Sequence, residues 1–304
     1  MIDMKVKLAG VEFENPVMVA SGTFGFGREY GEYFDLNELG AICVKGLTLE
    51  PREGNPPPRI AETPAGILNS VGLQNPGVKM FIKAELPKLK ETTRAKIIAN
   101  MAGNTIEEYC EMAAILSESS VDMLEMNISC PNVAHGGAAF GSDPDMVFEI
   151  TSRVRAAAKK PLIVKLSPNV SDITKVAMAA EQGGADALSL INTLLGMAID
   201  IKTRRPILKR NVGGLSGPAV KPVAVRMVWQ VSNAVQIPVI GMGGIVSWED
   251  AVEFLLAGAK MVSVGSGMFR DPALPVKVKN GIAVYLEKNG FASVEEVSGA
   301  VQAY

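Results

Sequence analysis

With 304 residues, nearly half of them apolar and a fifth charged, the chain can bury about three quarters of its unfolded surface, and one large domain over residues 1–304 is expected. A net charge of -2, a pI near 5.7 and the lack of any cluster of lysines and arginines interleaved with aromatics argue against a surface that neutralises phosphate backbones, so no nucleic-acid partner is expected. The opening MIDMKVKLAG enters a strand-like pattern directly, and no run approaches about eighteen uninterrupted apolar residues, which predicts a cytoplasmic chain without a membrane span.

After a short N-terminal strand segment, Val- and Ile-rich runs alternate with amphipathic stretches of helical period. PVMVAS and AICVKG come first. An insertion over 47–76 follows, carrying the proline cluster NPPPR and a candidate hairpin, RIAET and ILNSVGL around the turn Pro64 to Gly66. KIIANMAG is next, and Thr105 with Glu108 forms a capping box for the helix behind it. MLEMNIS leads to Cys130, beyond which Asp143 and Pro144 supply an N-cap with proline at the first helical position. LIVKLSP and ALSLINT precede a second insertion, 194–217, which ends in GGLSG. VIGMGGI, a Ser247–Asp250 cap and MVSVGSG complete the pattern.

Eight apolar strands, continuous enough to be buried on both faces, predict an α/β fold of the (β/α)8 TIM-barrel type. Both insertions are expected to hang over the strand ends as active-site loops. A weak internal echo fits this scheme: ELGAICV, GGADALSL and AGAKMVSV each run from a small-residue turn into a strand.

Barrels of this kind place chemistry at the C-terminal ends of their strands. Those ends supply Ser21, Lys45, Asn100, Asn127, Lys165, Asn192 with Thr193, Gly243 with Gly244, and Gly265 with Ser266. Two lysines and three asparagines at one mouth exceed what solvation requires and predict a ligand site. GMGGI and GSG after the last two strands let bare backbone amides approach a phosphate, so a phosphorylated ligand is expected, either a sugar or a flavin mononucleotide. Lys165 can stabilise negative charge on a reduced flavin ring, and asparagine amides read flat heterocycles.

Three cysteines form no CxxC pair and no metal set, and no metal site is expected. Cys43, inside AICVKG, and Cys110, on one helical face with Ile106, Tyr109 and Ala113, read as core residues. Cys130 lies between polar residues and a proline just past a strand. With a single histidine in the chain, His135, this thiol is the leading acid-base candidate.

NISCPN with its HGG and FGSDP continuation, NSVGLQNPG, VKG, LSGPAVKP, GMGGI and VGSG together resemble the class 1 dihydroorotate dehydrogenases, from Ser21 to about Pro272. The AHGGAAFGSDP loop and LSGPAVKP are more similar to the class 1B catalytic subunit than to the fumarate-using class 1A enzyme. The class 2 features, a catalytic serine and an N-terminal membrane extension, are not expected of this chain. The resemblance implies oxidation of dihydroorotate to orotate on one tightly bound FMN per chain, in pyrimidine biosynthesis, with Cys130 as catalytic base.

By the same resemblance, FMN is held by Ser21, Lys45, Gly46, Asn100, Asn127, Lys165, Ile191, Gly217, Gly243, Gly244, Gly265 and Ser266. Substrate is held by Lys45, by Asn69, Ser70, Val71, Gly72 and Leu73, and by Asn127, Asn192 and Thr193. His135 then belongs to a Gly-rich lid over 133–142 rather than to the catalyst. The chain shows no GxGxxG after a strand and no four-cysteine spacing. The electrons are therefore expected to leave for a separate subunit carrying FAD and a [2Fe-2S] cluster that reduces NAD, in a heterotetramer of two catalytic and two electron-transfer subunits. The competing readings are a fumarate-dependent enzyme, a related dihydropyrimidine dehydrogenase, a non-redox phosphate-binding barrel and a flavin-binding protein without turnover.

Overall fold

Eight parallel strands pair in chain order until the last meets the first, closing a barrel. They are Val17–Val19, Ala41–Cys43, Lys96–Met101, Met123–Asn127, Leu162–Lys165, Ala187–Leu190, Val239–Met242 and Met261–Val264. All eight lie inside the predicted apolar runs. This computed structural model describes residues 2–129, 140–302 and 304. Cys130 and His135, and most of the loop predicted over 133–142, lie outside the described residues.

The strands are short because each run turns polar where it leaves the barrel. Before that point nearly every residue is buried, from inside by the barrel interior and from outside by helices, which is why the runs are uniformly apolar rather than alternating. Ile106–Ser117, Pro144–Ala157, Ile173–Gln182, Lys221–Ser232, Trp248–Leu256 and Leu274–Asn289 form the main outer helices. The first strand has no such cover of its own. Only a four-residue helix, Ser21–Phe24, and short 3-10 segments at Tyr30–Glu32 and Leu36–Glu38 follow it.

The caps explain where the helices begin. Ser247 and Asp250 form a complete reciprocal box. Asp143 accepts from the Asp145 N–H at 3.2 Å. At Thr105 the structure corrects the expected box. The Thr105 hydroxyl accepts from Glu108 N at 3.2 Å, but the Glu108 carboxylate turns to Asn104 N at 2.7 Å, one residue earlier. The N-terminal strand segment is an antiparallel hairpin, Val6–Leu8 with Val11–Phe13, turning through Ala9 and Gly10, both at positive φ as a tight two-residue turn requires.

The predicted hairpin of the first insertion forms as Ile60–Thr63 and Gly66–Asn69. The two insertions, read separately from sequence, are one structure. Gly66–Asn69 pairs with Gly213–Ser216, which pairs with Leu194–Gly196, giving a four-stranded antiparallel sheet built from both. Glycine makes this approach possible: a Cβ on Gly66 would fall 2.1 Å from the Ser216 carbonyl oxygen. Cys43 is fully buried as expected, whereas Cys110 is only partly buried. Among the described residues no helix is long and apolar enough to cross a membrane.

Candidate active site

A cavity of about 410 Å³ opens where the eight strands end, roofed by the sheet of the two insertions. Its size is that of a site for a small organic ligand. The walls bring together Ser21, Lys45, Gly46, Asn100, Asn127, Lys165, Ile191, Gly243, Gly244, Gly265 and Ser266 from the barrel. Asn69, Ser70, Val71, Gly72 and Leu73 join them from the first insertion, and Asn192 and Thr193 from the sixth strand end.

Gly217 is the exception among the described residues expected to touch a ligand. It does not line the cavity. It lies behind the wall, where a Cβ on Gly244 would sit 2.8 Å from the Gly217 carbonyl oxygen, so its part is to let the glycine turn close. Gly243 and Gly244 have φ of 127° and 80°, and the chain there runs directly against the first turn of helix Lys221–Ser232. A side chain at Gly244 would meet Lys221 N at 2.9 Å, and this crowding leaves the backbone bare toward the cavity.

The asparagines are committed in opposite senses. Asn127 Oδ1 accepts from Ser129 N at 3.1 Å and from Asn192 Nδ2 at 3.0 Å, so what Asn127 has left to offer is a donor. Its position is pinned by Tyr109, whose hydroxyl donates to the Asn127 carbonyl at 2.6 Å. Asn100 is the reverse: Nδ2 donates into the barrel interior, while Oδ1 is buried without a partner. One amide thus presents a hydrogen and the other a lone pair, the complement of a heterocycle edge that carries both.

Buried polar atoms without partners mark the same place. Of four such side-chain atoms among the described residues, three, on Ser70, Asn100 and Ser263, belong to residues lining this cavity. Native proteins leave few such groups, and each asks for an explanation. A polar ligand seated here supplies it. Burial, and after it the neighbouring Arg59 guanidinium, lowers the Lys45 pKa from its ordinary value, so a cation is held at the cavity at an energetic cost that an anionic ligand would offset.

A family model described as "Dihydroorotate dehydrogenase" matches residues 3–286. The chain belongs to the dihydroorotate dehydrogenase family. Within that family it is similar to proteins named "Dihydroorotate dehydrogenase B (NAD(+)), catalytic subunit". One from Alkaliphilus metalliredigens is 60% identical over 300 residues, covering 99% of both chains. One from Thermoanaerobacter pseudethanolicus is 56% identical over 301 residues, again 99% of each. One from Bacteroides thetaiotaomicron is 54% identical over 303 residues, 99% of this chain and all of the relative.

Several residues at this dehydrogenase's cavity go beyond those expected from sequence, among them Ser263 in its wall and Glu125 beneath it. Ser263 comes from inside the eighth strand and lines the floor. Glu125 sits fully buried beneath that floor, and its Oε1 lies 3.9 Å from Lys165 Nζ. The signal for Glu125 was present, a lone carboxylate inside the apolar run MLEMN. It lies in the middle of its strand, whereas the polar residues expected at the barrel mouth stand at strand ends.

Proposed function

We propose that this cavity holds FMN with dihydroorotate against it, and that the chain oxidises dihydroorotate to orotate in pyrimidine biosynthesis. The opposed commitment of Asn100 and Asn127 carries this reading, because one acceptor and one donor beside a buried lysine suit a planar ring that has both kinds of edge atom. The glycine turns fit the ligand's phosphate: the backbone at Gly243, Gly244 and Gly265 lines the cavity after strands seven and eight. Ser21, Gly46, Ile191 and Ser266 complete the cofactor wall, and Gly217 supports it from behind.

Bound FMN supplies the hydride acceptor. The protein supplies the rest. Lys45, half-buried at the cavity wall, pairs with the substrate carboxylate in a charge-assisted contact. Asn69, Asn127, Asn192 and Thr193 hold the polar edge of the pyrimidine ring, with Ser70, Val71, Gly72 and Leu73 closing over it. Cys130 takes the proton from one ring carbon as hydride leaves the neighbouring one. Ser129, the residue before it in sequence, lines the cavity, which supports this assignment.

A partner subunit carrying FAD and a [2Fe-2S] cluster would take the electrons on to NAD, in an assembly of two catalytic and two electron-transfer subunits. The names of the relatives, each the catalytic subunit of an NAD(+) enzyme, favour this route over fumarate. Exposed apolar side chains on the second insertion, Leu195, Met197, Ile199 and Ile201, support a subunit contact on that side of the molecule.

The test is anaerobic mixing of the FMN-loaded chain with dihydroorotate, followed by the visible flavin absorbance. Wild type should bleach rapidly, and Cys130→Ala should bleach at least about a hundredfold more slowly, the usual scale of a lost general base. Equal rates would remove Cys130 from the chemistry, and a wild type that never bleaches would remove dihydroorotate.

A further inference from the structure

Glu125 is the third residue of the fourth barrel strand, and its side chain points into the barrel interior, where it is 1% exposed. A carboxylate in such a place is costly unless its oxygens are met. Here four neighbouring strands meet them. Oε1 accepts from Cys43 Sγ at 3.2 Å and Asn100 Nδ2 at 2.6 Å, Oε2 accepts from Ser189 Oγ at 2.8 Å, and Lys165 Nζ stands 3.9 Å from Oε1. All four of these groups are donors or cations.

Two of these contacts reach the cavity. Asn100 can donate downward to Glu125 only by turning Oδ1 the other way, and Oδ1 does point toward Gly46 on the cavity wall, where an added Cβ would meet it at 2.9 Å. The separation from Lys165 exceeds a hydrogen bond. The pairing therefore fixes the position of the ammonium without using up its protons, which remain for a ligand. Cys43 and Ser189 line no part of the cavity and serve only to hold the carboxylate. Burial, and after it the charge of Glu125, pushes the Cys43 thiol well above its ordinary pKa, so Cys43 stays a proton donor to that carboxylate.

We infer that Glu125 is a positioning residue of the cofactor site: from beneath the cavity floor it sets the orientation of the Asn100 amide and the place of the Lys165 ammonium, so that a bound ring meets one fixed acceptor and one fixed cation. This rests on the flavin reading of the cavity given above.

The test uses the full chain, stripped of FMN and titrated with it again, in wild type, Glu125→Gln, Asn100→Ala, the double variant and Cys43→Ala. Fluorescence quenching gives the FMN dissociation constant, and equilibration with a redox dye gives the two-electron potential of the bound flavin. Glu125→Gln should weaken FMN at least tenfold. It should also raise the potential by about 30 mV or more, a tenfold shift toward the reduced form for a two-electron couple, because a negative charge has left the floor. Asn100→Ala should add little to Glu125→Gln, since both break the same arrangement. Cys43→Ala keeps the carboxylate and its Asn100 and Ser189 donors but removes one hydrogen bond to it, so it should shift both measurements in the same direction as Glu125→Gln and by much less.

Affinity and potential unchanged in Glu125→Gln would overturn the inference. So would fully multiplicative effects of the two single variants, or a shift in Cys43→Ala as large as in Glu125→Gln, which would assign the effect to packing. Should Glu125→Gln not fold, neutron diffraction of the wild-type holoprotein decides the matter. Asn100 Oδ1 toward the ring with Nδ2 on Glu125 supports the inference, and the flipped amide sinks it. A wild type that takes up no FMN would defeat the flavin reading and this inference with it.

Discussion

The side chain of Asn192, at the end of the sixth strand, donates to the Oδ1 of Asn127, at the end of the fourth, over 3.0 Å. The same nitrogen reaches Ser129 Oγ at 2.8 Å, and Asn192 Oδ1 accepts from Thr193 N at 2.8 Å. Asn192 therefore fixes which end of Asn127 faces the ligand while spanning the gap left by the fifth strand. Removing it frees that amide to turn. Asn192→Ala is expected to raise KM for dihydroorotate at least about tenfold, the cost of one to two lost hydrogen bonds in a buried site. FMN affinity should change less, and steady-state kinetics beside an FMN titration will separate the two effects.

Lys45 gives the site a pH dependence of its own. Burial, then Arg59, lowers its pKa, so the ammonium loses its proton at a pH below the ordinary lysine value of about 10.4. Affinity for an anionic ligand should accordingly fall as pH rises, and the fall should begin earlier than for an exposed lysine. Orotate binding, read from the flavin spectrum between pH 7 and 10, is the measurement. Lys45→Arg should abolish the alkaline fall, because guanidinium keeps its proton throughout. Lys45→Met should weaken binding at pH 7 by about tenfold or more.

Gly244 is held at φ 80° with Gly217 O and Lys221 N both inside 3 Å of where a side chain would start. Gly244→Ala should cost about 1–3 kcal/mol from the backbone conformation alone, and the crowding adds to it. Gly22 is the internal comparison. It lines the same cavity, yet an added Cβ meets nothing within 4 Å. Gly22→Ala should stay within about 0.5 kcal/mol of wild type in denaturant unfolding, so a similar loss in both variants would contradict the steric account.

Lys221 ties two outer helices together, with its ammonium 2.6 Å from Asp250 Oδ1 and 2.7 Å from Glu253 Oε1. Burial by itself would raise the Asp250 pKa, but the Lys221 contact and the Val246 and Ser247 N–H groups outweigh it and hold the carboxyl below its ordinary value. A carboxylate lowered on folding stabilises the fold above its unfolded pKa, about 3.9, and that contribution is lost as pH falls through the lower folded value. Asp250→Asn should therefore be less stable than wild type at pH 7, by about 1–2 kcal/mol. The gap should narrow from about pH 4 downward, and urea unfolding at several pH values checks both parts.

The apolar runs determined a great deal by themselves. Eight stretches such as LIVK and MVSV, buried on both faces, admit little besides parallel strands covered by helices, and the polar residue closing each run marked the rim of the cavity. The hairpin around Pro64 to Gly66 was equally legible, since turn residues between two strand-like runs act locally. Three features belonged to tertiary structure alone. The joining of the two insertions into one sheet depends on Gly66 meeting Ser216 across the fold, a contact between segments far apart in the chain. The place of Gly217 behind the wall follows from how closely Gly244 packs on it. The role of Glu125 could not be seen in MLEMN, because the meaning of a buried carboxylate lies in its partners, and Cys43, Asn100, Lys165 and Ser189 come together only when the barrel closes. Period and polarity act between neighbours along the chain and so are written in it, whereas hydrogen-bond pairing inside a closed barrel is set by which strands the closure brings side by side.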